Sequence, residues 1–167
     1  SQPYIVALMT EAMQLQPGHK VLEIGTGSGY AAAVLSRIVK HVYTIERHRG
    51  LIHIAERRFR KLKYDNVSIL YGDGTQGWPE HAPFDAIVVT AGGPDVPRSL
   101  VDQLAVGGNL VIPTGSSQHL QKLLRITRTS EDNTRTEELC DVRFVPLIGK
   151  EGWSDDKPAP VGNTNDR

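Results

Sequence analysis

The sequence predicts an α/β fold: a doubly wound, mostly parallel sheet with helices on both faces and an antiparallel pair of strands at its C-terminal end. Three observations carry this prediction. Apolar runs of strand length alternate with helical stretches over most of the chain, the order that builds a right-handed parallel sheet. The first apolar run breaks directly into a glycine-rich turn, Gly25-Thr26-Gly27-Ser28-Gly29. The last two strand-like segments are joined only by the polar stretch 130–135, which suits a hairpin. At 167 residues the chain has room for one domain with a sizeable core.

Ser1-Gln2-Pro3 reads as a helix start, with Ser1 as N-cap and Pro3 early in the first turn. Apolar positions at helical spacing cover 4–15, and Pro17-Gly18 ends that element. A first strand over 20–24 is followed by a helix over 29–39, a second strand over 41–46 and a helix over 49–62. The third strand starts at Val67 and ends near Gly72. The run 84–90 is apolar enough for burial on both faces, as in a parallel sheet. A short helix over 97–104 is closed by Gly107-Gly108, a good C-terminal stop. Strand five is 109–113, and the final pair is 120–129 and 138–147. The domain therefore spans 1–150. The remainder, 151–167, is a polar tail, rich in Pro, Asp, Asn and Gly from 154 onward, and is expected to be flexible.

In Val21-Leu22-Glu23-Ile24 a buried strand runs into glycines at alternate positions. Glycine lets backbone approach a ligand where a Cβ would clash or demand an unfavourable φ. The helix that follows would aim free N–H groups at that ligand. The dinucleotide fingerprint is G-x-G-x-x-G. Here the spacing is G-x-G-x-G, with Tyr30 where the last glycine would stand. Taken alone, the triplet also fits a turn without a ligand. Two acids strengthen the ligand reading. Glu46 ends the second strand, about 20 residues past the glycines, where a carboxylate accepts from both ribose hydroxyls. Asp73, in Gly72-Asp73-Gly74, ends the third, where a carboxylate would meet an amino group on a purine. Ligands in such sheets lie at the carboxyl ends of the strands. Gly25 to Gly29, Glu46, Asp73 and Thr90 all fall there.

Composition narrows the classes. Formal net charge is zero, and no basic stripe carries interleaved aromatics. Nucleic acid is therefore not the expected partner. The cluster Glu56-Arg57-Arg58-Phe59-Arg60-Lys61 reads as a solvated helix face. No apolar run reaches membrane-spanning length. The single cysteine, Cys140, forbids an internal disulfide and suits a reducing compartment, so a cytoplasmic location is expected. Of the six histidines, His19, His41, His48, His53, His81 and His119, none makes a metal-ligand spacing, and no metal is expected. Trp78 and Trp153 read as packing residues, with Trp78 close enough to Asp73-Gly74 to wall an adenine.

Several motifs in order resemble the protein-L-isoaspartate O-methyltransferase family. They are Ser1-Gln2-Pro3-Tyr4, Glu23-Ile24-Gly25-Thr26-Gly27-Ser28-Gly29-Tyr30, Gly72-Asp73-Gly74, Ala82-Pro83-Phe84-Asp85-Ala86-Ile87-Val88-Val89-Thr90-Ala91 and Arg143-Phe144-Val145-Pro146-Leu147. The resemblance spans Ser1 to about Gly149. It implies a Rossmann-like class I fold dependent on S-adenosyl-L-methionine, with S-adenosyl-L-homocysteine as product. It implies protein repair: methylation of an isoaspartyl carboxylate in damaged proteins or peptides, after which the ester closes to a succinimide that can reopen to aspartate.

Carried over residue by residue, Glu23, Gly25, Thr26, Gly27, Gly29, Glu46, Arg47, Asp73 and Gly74 would hold the cofactor. The glycines would line its methionine part and sugar, Glu46 the ribose, Asp73 and Gly74 the adenine. Ser1 matches the serine of the family's Thr-Ile-Ser segment and would be the catalytic residue beside the substrate carboxylate. Thr90 and Val145-Pro146-Leu147 would border the peptide cleft. The family carries further residues before that serine, which help to build and cover the site; the sequence here opens at Ser1. It also has Ala91-Gly92-Gly93-Pro94 where the family usually has more alanine, which is expected to loosen that loop.

The implied chemistry needs little acid–base machinery. A sulfonium methyl is already electrophilic, and a carboxylate acceptor of pKa about 4 is ionised at neutral pH. Alignment is the main task, worth roughly 7–11 kcal/mol in favourable cases. Ser1 or Thr90 would orient the carboxylate through a hydroxyl. Three other readings share the pocket. A nicotinamide-dependent oxidoreductase is opposed by Tyr30 and by the lack of a separate catalytic domain. A binding module without turnover would bind cofactor and transfer nothing. A small-molecule methyltransferase would differ only in its acceptor.

Overall fold

A computed structural model describes residues 2–117 and 120–155. Seven strands form one sheet in the order β3-β2-β1-β4-β5-β6-β7. These are β1 (Lys20–Ile24), β2 (His41–Glu46), β3 (Val67–Tyr71), β4 (Phe84–Val89), β5 (Leu104–Ser117), β6 (Leu120–Arg128) and β7 (Thr134–Val142). The first five run parallel. β6 and β7 run antiparallel to their neighbours, as the C-terminal pair was expected to do.

The helices are α1 (Pro3–Ala12), α2 (Tyr30–Ser36), α3 (Arg49–Leu62) and α4 (Arg98–Asp102). Strand residues alternate between two cores. Val21, Val42 and Val88 pack on one face with Met9 and Met13 of α1 and its exit, Leu35 of α2 and Phe59 of α3. Leu22, Ile45 and Ile87 pack on the other with Leu100 of α4 and Leu104. On α3 the buried positions Ile52, Ala55 and Phe59 make one stripe, and the charged residues around Phe59 are exposed.

Several boundaries differ from the sequence reading. α1 stops at Ala12, short of the expected 15, and Gln14 takes a positive φ of 54°. α2 is seven residues rather than eleven: Gly29 sits outside it as a left-handed N-cap with φ 84°, and the helix ends at Ser36, three residues before the expected Val39. Gly107-Gly108 does not close α4. That helix ends at Asp102, and both glycines lie inside β5. The register jumps there: Phe84 pairs with Leu104, but Ala86 with Asn109. Gly107, at φ 85°, absorbs the extra residues as a bulge.

The last strand is also displaced, to Thr134–Val142 rather than 138–147. Its first half is an exposed polar edge, so it carries no apolar signal. The apolar residues of 143–147 are held without a ladder. Gln121 on β6 accepts from Phe144 N at 2.8 Å and donates to Phe144 O at 3.2 Å. Gly92 then exchanges 2.8 Å bonds with Val145 O and Leu147 N.

Residues 151–155, read as part of a flexible tail, fold back onto the sheet. Trp153 Nε1 donates to Gly92 O at 2.9 Å, and Ser99 N donates to Glu151 Oε2 at 3.0 Å. The rest of the tail, 156–167, lies outside the described residues, as do Ser1 and His119.

Candidate functional site

The strand order reverses between β1 and β4, which opens a crevice at their carboxyl ends. A cavity of about 850 Å³ occupies it. The turn after β1 supplies Gly25, Thr26, Gly27 and Ser28; β1 and β2 supply Glu23 and Glu46; Arg47 and His48 follow β2. Thr90 and Ala91, after β4, and Val145 and Pro146 complete the opposite side.

Gly25 is required by two constraints at once. Its φ is 97°, and a Cβ there would stand 2.5 Å from Thr90 Oγ1. Thr90 N donates to Ile24 O at 2.9 Å, and its hydroxyl is directed at Ile24 O and Gly25 O at 3.0 and 2.9 Å. Thr90 thus clamps the end of β1. Its one hydroxyl proton is directed at backbone in this structure, and the residue still lines the cavity.

Glu46 is nearly fully buried. Its Oε2 accepts from Gly27 N and its Oε1 from His48 N, both at 2.9 Å. The carboxylate thereby shapes the glycine turn and keeps unused acceptor capacity. Glu23 is wholly buried. Thr44 donates to its Oε2 at 2.6 Å, and Thr26 stands 2.7 Å from Thr44. Its Oε1 is, among the described residues, the buried side-chain polar atom that no partner satisfies. Burial pushes the Glu23 carboxyl up to about 8, against the bond from Thr44, and the charge of Glu46 adds to the rise.

The other expected site residues lie elsewhere. Gly29 faces Phe59 and Ala55 between α2 and α3, where its missing Cβ permits close packing. Asp73 borders a neighbouring cavity of about 440 Å³, while Arg47 lines both that cavity and the main one. Asp73 accepts from Thr75 N and Oγ1 through Oδ1, and from Lys150 N through Oδ2. Arg47 pairs with Asp155 at 2.8 Å. Gly74 is buried against Ile24, 2.2 Å from where its Cβ would stand. Leu147 is core, not cleft: it is buried beside Leu22 and Leu100. Val145, by contrast, is 69% exposed. Trp78 packs edge-on against Tyr43 and His81, away from the cavity.

Three contributors carried no signal in the sequence. Thr44 is an inward strand residue, Gln121 an inward residue on β6, and His48 a helix-capping position. Thr44 and Gln121 matter through partners distant in the chain, and His48 through the carboxylate two residues before it. A further cavity of about 480 Å³ shares Thr90 and Val145 with the first and is bordered by Ile5, Asp141, Arg143 and Phe144.

The donor set fits a nucleoside cofactor that carries positive charge. Two buried acids share the wall, one oxygen lacks a partner, and Gly25 and Gly27 bring bare backbone to the cavity.

Comparison with known proteins points the same way. Residues 1–152 match the family model described as protein-L-isoaspartate(D-aspartate) O-methyltransferase. A protein-L-isoaspartate O-methyltransferase of Geotalea uraniireducens is 63% identical over 92% of this chain and 70% of its own length. One of Pelobacter propionicus is 64% identical over 92% of this chain and 68% of its own. A solved protein-L-isoaspartate O-methyltransferase superposes with a TM-score of 0.84 at 34% identity, covering 91% of this chain and 49% of that one. A Plasmodium falciparum structure, titled a putative enzyme of this kind in complex with S-adenosyl-L-homocysteine, gives 0.73 at 29% identity, covering 89% and 75%. The chain thus spans about half of the first solved structure and about 70% of the curated relatives.

Proposed function

This chain belongs to the protein-L-isoaspartate O-methyltransferase family, and from that premise we propose which of its residues carry the reaction. The reaction is transfer of a methyl group from S-adenosyl-L-methionine to the carboxylate of L-isoaspartyl residues in damaged proteins or peptides. One observation supports the assignment above the rest. A single cavity is walled on one side by Gly25, Thr26, Gly27, Glu23 and Glu46, and on the other by Thr90, Val145 and Pro146.

S-Adenosyl-L-methionine supplies a methyl group on a positively charged sulfur. The chain's own work is to hold, align and dry the site. Glu46, already fixed by Gly27 N and His48 N, offers its remaining lone pairs to ribose hydroxyls. Glu23 gives the wall a second acid. Thr90 locks the Gly25 turn, so the bound molecule meets a preformed surface rather than a loop that must be ordered. Exposed Val145 and half-buried Pro146 flank the mouth where a peptide would enter, and the adjoining cavity at Arg143 and Phe144 takes the residues beside the isoaspartate. Ser1, Arg47, Asp73 and Gly74 keep the roles that the resemblance implies. The acceptor is ionised at neutral pH, so positioning replaces general-base catalysis.

The acceptor is a protein or peptide; net charge of zero gives nucleic acid no electrostatic hold. Among the described residues no helix is long and apolar enough to cross a membrane. The lone cysteine supports a cytoplasmic location. The test is methyl transfer from labelled S-adenosylmethionine to a peptide with one isoaspartate, beside its aspartate counterpart. Transfer to the isoaspartyl peptide alone is expected. Bound S-adenosylhomocysteine with no transfer to either peptide would instead leave a binding module.

A further inference from the structure

We propose that Glu23 is a proton-linked latch for the cofactor, giving up its proton as the cofactor's ammonium group enters the cavity. The inference rests on the cofactor reading above and deepens it.

Geometry is the starting point. Glu23 is a wall residue of the cavity, with no exposed surface of its own. One oxygen is spoken for: Thr44 donates to Oε2, and Thr26 in turn donates to Thr44. The other, Oε1, has no partner. A buried, unsatisfied carboxyl oxygen costs free energy unless something completes it. An acid in this position has two ways to lower that cost. It can hold a proton on Oε1 and shed its charge, or it can receive a donor from the ligand.

The surroundings of Glu23 favour the first. Among the groups packed around Glu23, β2 contributes Thr44 and the carboxylate of Glu46; β4 opposes it with Val88. In the cavity wall, Pro3 and Val6 are uncharged, Tyr30 has a phenol, and Arg47 and His48 follow Glu46. Arg47 is engaged by Asp155. Burial and Glu46 therefore hold the acid neutral at pH 7, its pKa raised to about 8.

The cofactor offers two cationic centres. A sulfonium has no hydrogen to donate and cannot satisfy Oε1. An ammonium donates directly or through one water, and its charge favours the ionised acid. Glu23–COOH plus ligand–NH3⁺ then becomes the pair COO⁻ and NH3⁺ with one proton released to solvent. No bond other than that O–H is broken.

Titration calorimetry of S-adenosylhomocysteine in buffers of different ionisation enthalpy reads the proton count directly. At pH 7 the wild-type protein should release more than about half a proton per bound molecule, and affinity should tighten by up to about tenfold per unit from pH 6 to 7.5. Glu23→Gln should release none. 5′-Methylthioadenosine, which keeps the nucleoside and thioether and lacks the amino-acid part, should bind the wild type without release. That arm keeps the test decisive if the variant fails to fold. Binding of S-adenosylhomocysteine with no release, or equal release with methylthioadenosine, overturns the latch and leaves the cofactor reading standing. No binding at any pH overturns both.

Discussion

Glu46 at the end of β2 and Asp73 just past β3 are both carboxylates that gather backbone N–H groups, yet they do different work. Glu46 accepts from Gly27 N and His48 N, and both partners line the main cavity. Asp73 accepts from Thr75 N, Thr75 Oγ1 and Lys150 N, and so ties the turn after β3 to the returning C-terminal segment. The two strand ends differ in what crosses above them. Over β2 the glycine turn meets Glu46 through a single N–H; over β3 the returning C-terminal segment comes down on Asp73 through Lys150 N. Glu23 is the extreme of the first kind, with an oxygen that nothing in the described chain reaches.

The largest expected effect breaks the comparison at that extreme. The Glu23 carboxyl is raised from 4.5 to about 8 in the folded state by burial. The folded state therefore holds a proton that the unfolded state loses near 4.5. The stability so supported is complete below pH 4.5 and is lost as pH rises through 8, on the order of 4–5 kcal/mol in all. Urea unfolding of the cofactor-free protein should show this fall between pH 5 and 8, and Glu23→Gln should flatten it. Parallel pH profiles for the two proteins would show that Glu23 is ionised throughout.

Next comes the turn that gives Glu46 its open side. Gly25→Ala sets a Cβ 2.5 Å from Thr90 Oγ1 at a φ of 97°. It should cost about 1–3 kcal/mol of stability and weaken S-adenosylhomocysteine binding more than tenfold. Gly18→Ala, where a Cβ meets nothing within 4 Å, is the control and should do neither.

The direct comparison follows. Glu46→Gln replaces one of its two acceptor oxygens with a donor and should weaken S-adenosylhomocysteine roughly 10- to 100-fold, the worth of a charged hydrogen bond. Asp73→Asn should weaken it less than about tenfold, while amide exchange quickens at Lys150 and Glu151. Equal losses of affinity would mean that Asp73 turns from Lys150 to the ligand when the site fills.

The two carboxylates also mark where the sequence can and cannot be read. Parallel order, the glycine turn and Glu46 were legible because each is a local pattern: an apolar run, a conformation only glycine takes, an acid at a strand end. Asp73 carries the same local pattern, and what separates it from Glu46 is Lys150, some 77 residues away. The start of β7 was missed for a related reason. As an exposed edge it shows no apolar period, while Phe144 and Val145 mimic one without pairing. Leu147 sits beside cleft residues in the chain but on the opposite side of the backbone, inside the core. Gln121 and Thr44 gave no sign, since a polar residue inside a strand reads as a defect until its partner is known.

The smallest effect concerns the strap that distinguishes the β3 side. Burial pushes the Glu151 carboxyl up, but bonds from the side chain and backbone of Ser99, the backbone of Arg98 and the side chain of Gln76 outweigh it and hold the pKa below 4.5. A depressed acid supports stability above its unfolded pKa, and that support is lost as pH falls through the folded value. Glu151 is only partly buried, so solvent screening keeps the effect modest. Acidification below pH 4.5 should loosen the strap locally, read as a change in fluorescence of Trp153, whose indole is bonded to Gly92 O. Glu151→Gln should bring that change to neutral pH while leaving the pH profile assigned to Glu23 intact. If the variant moved both, the strap and the cavity would be one cooperative unit, and the division between the β2 and β3 ends would be one of geometry rather than of energy.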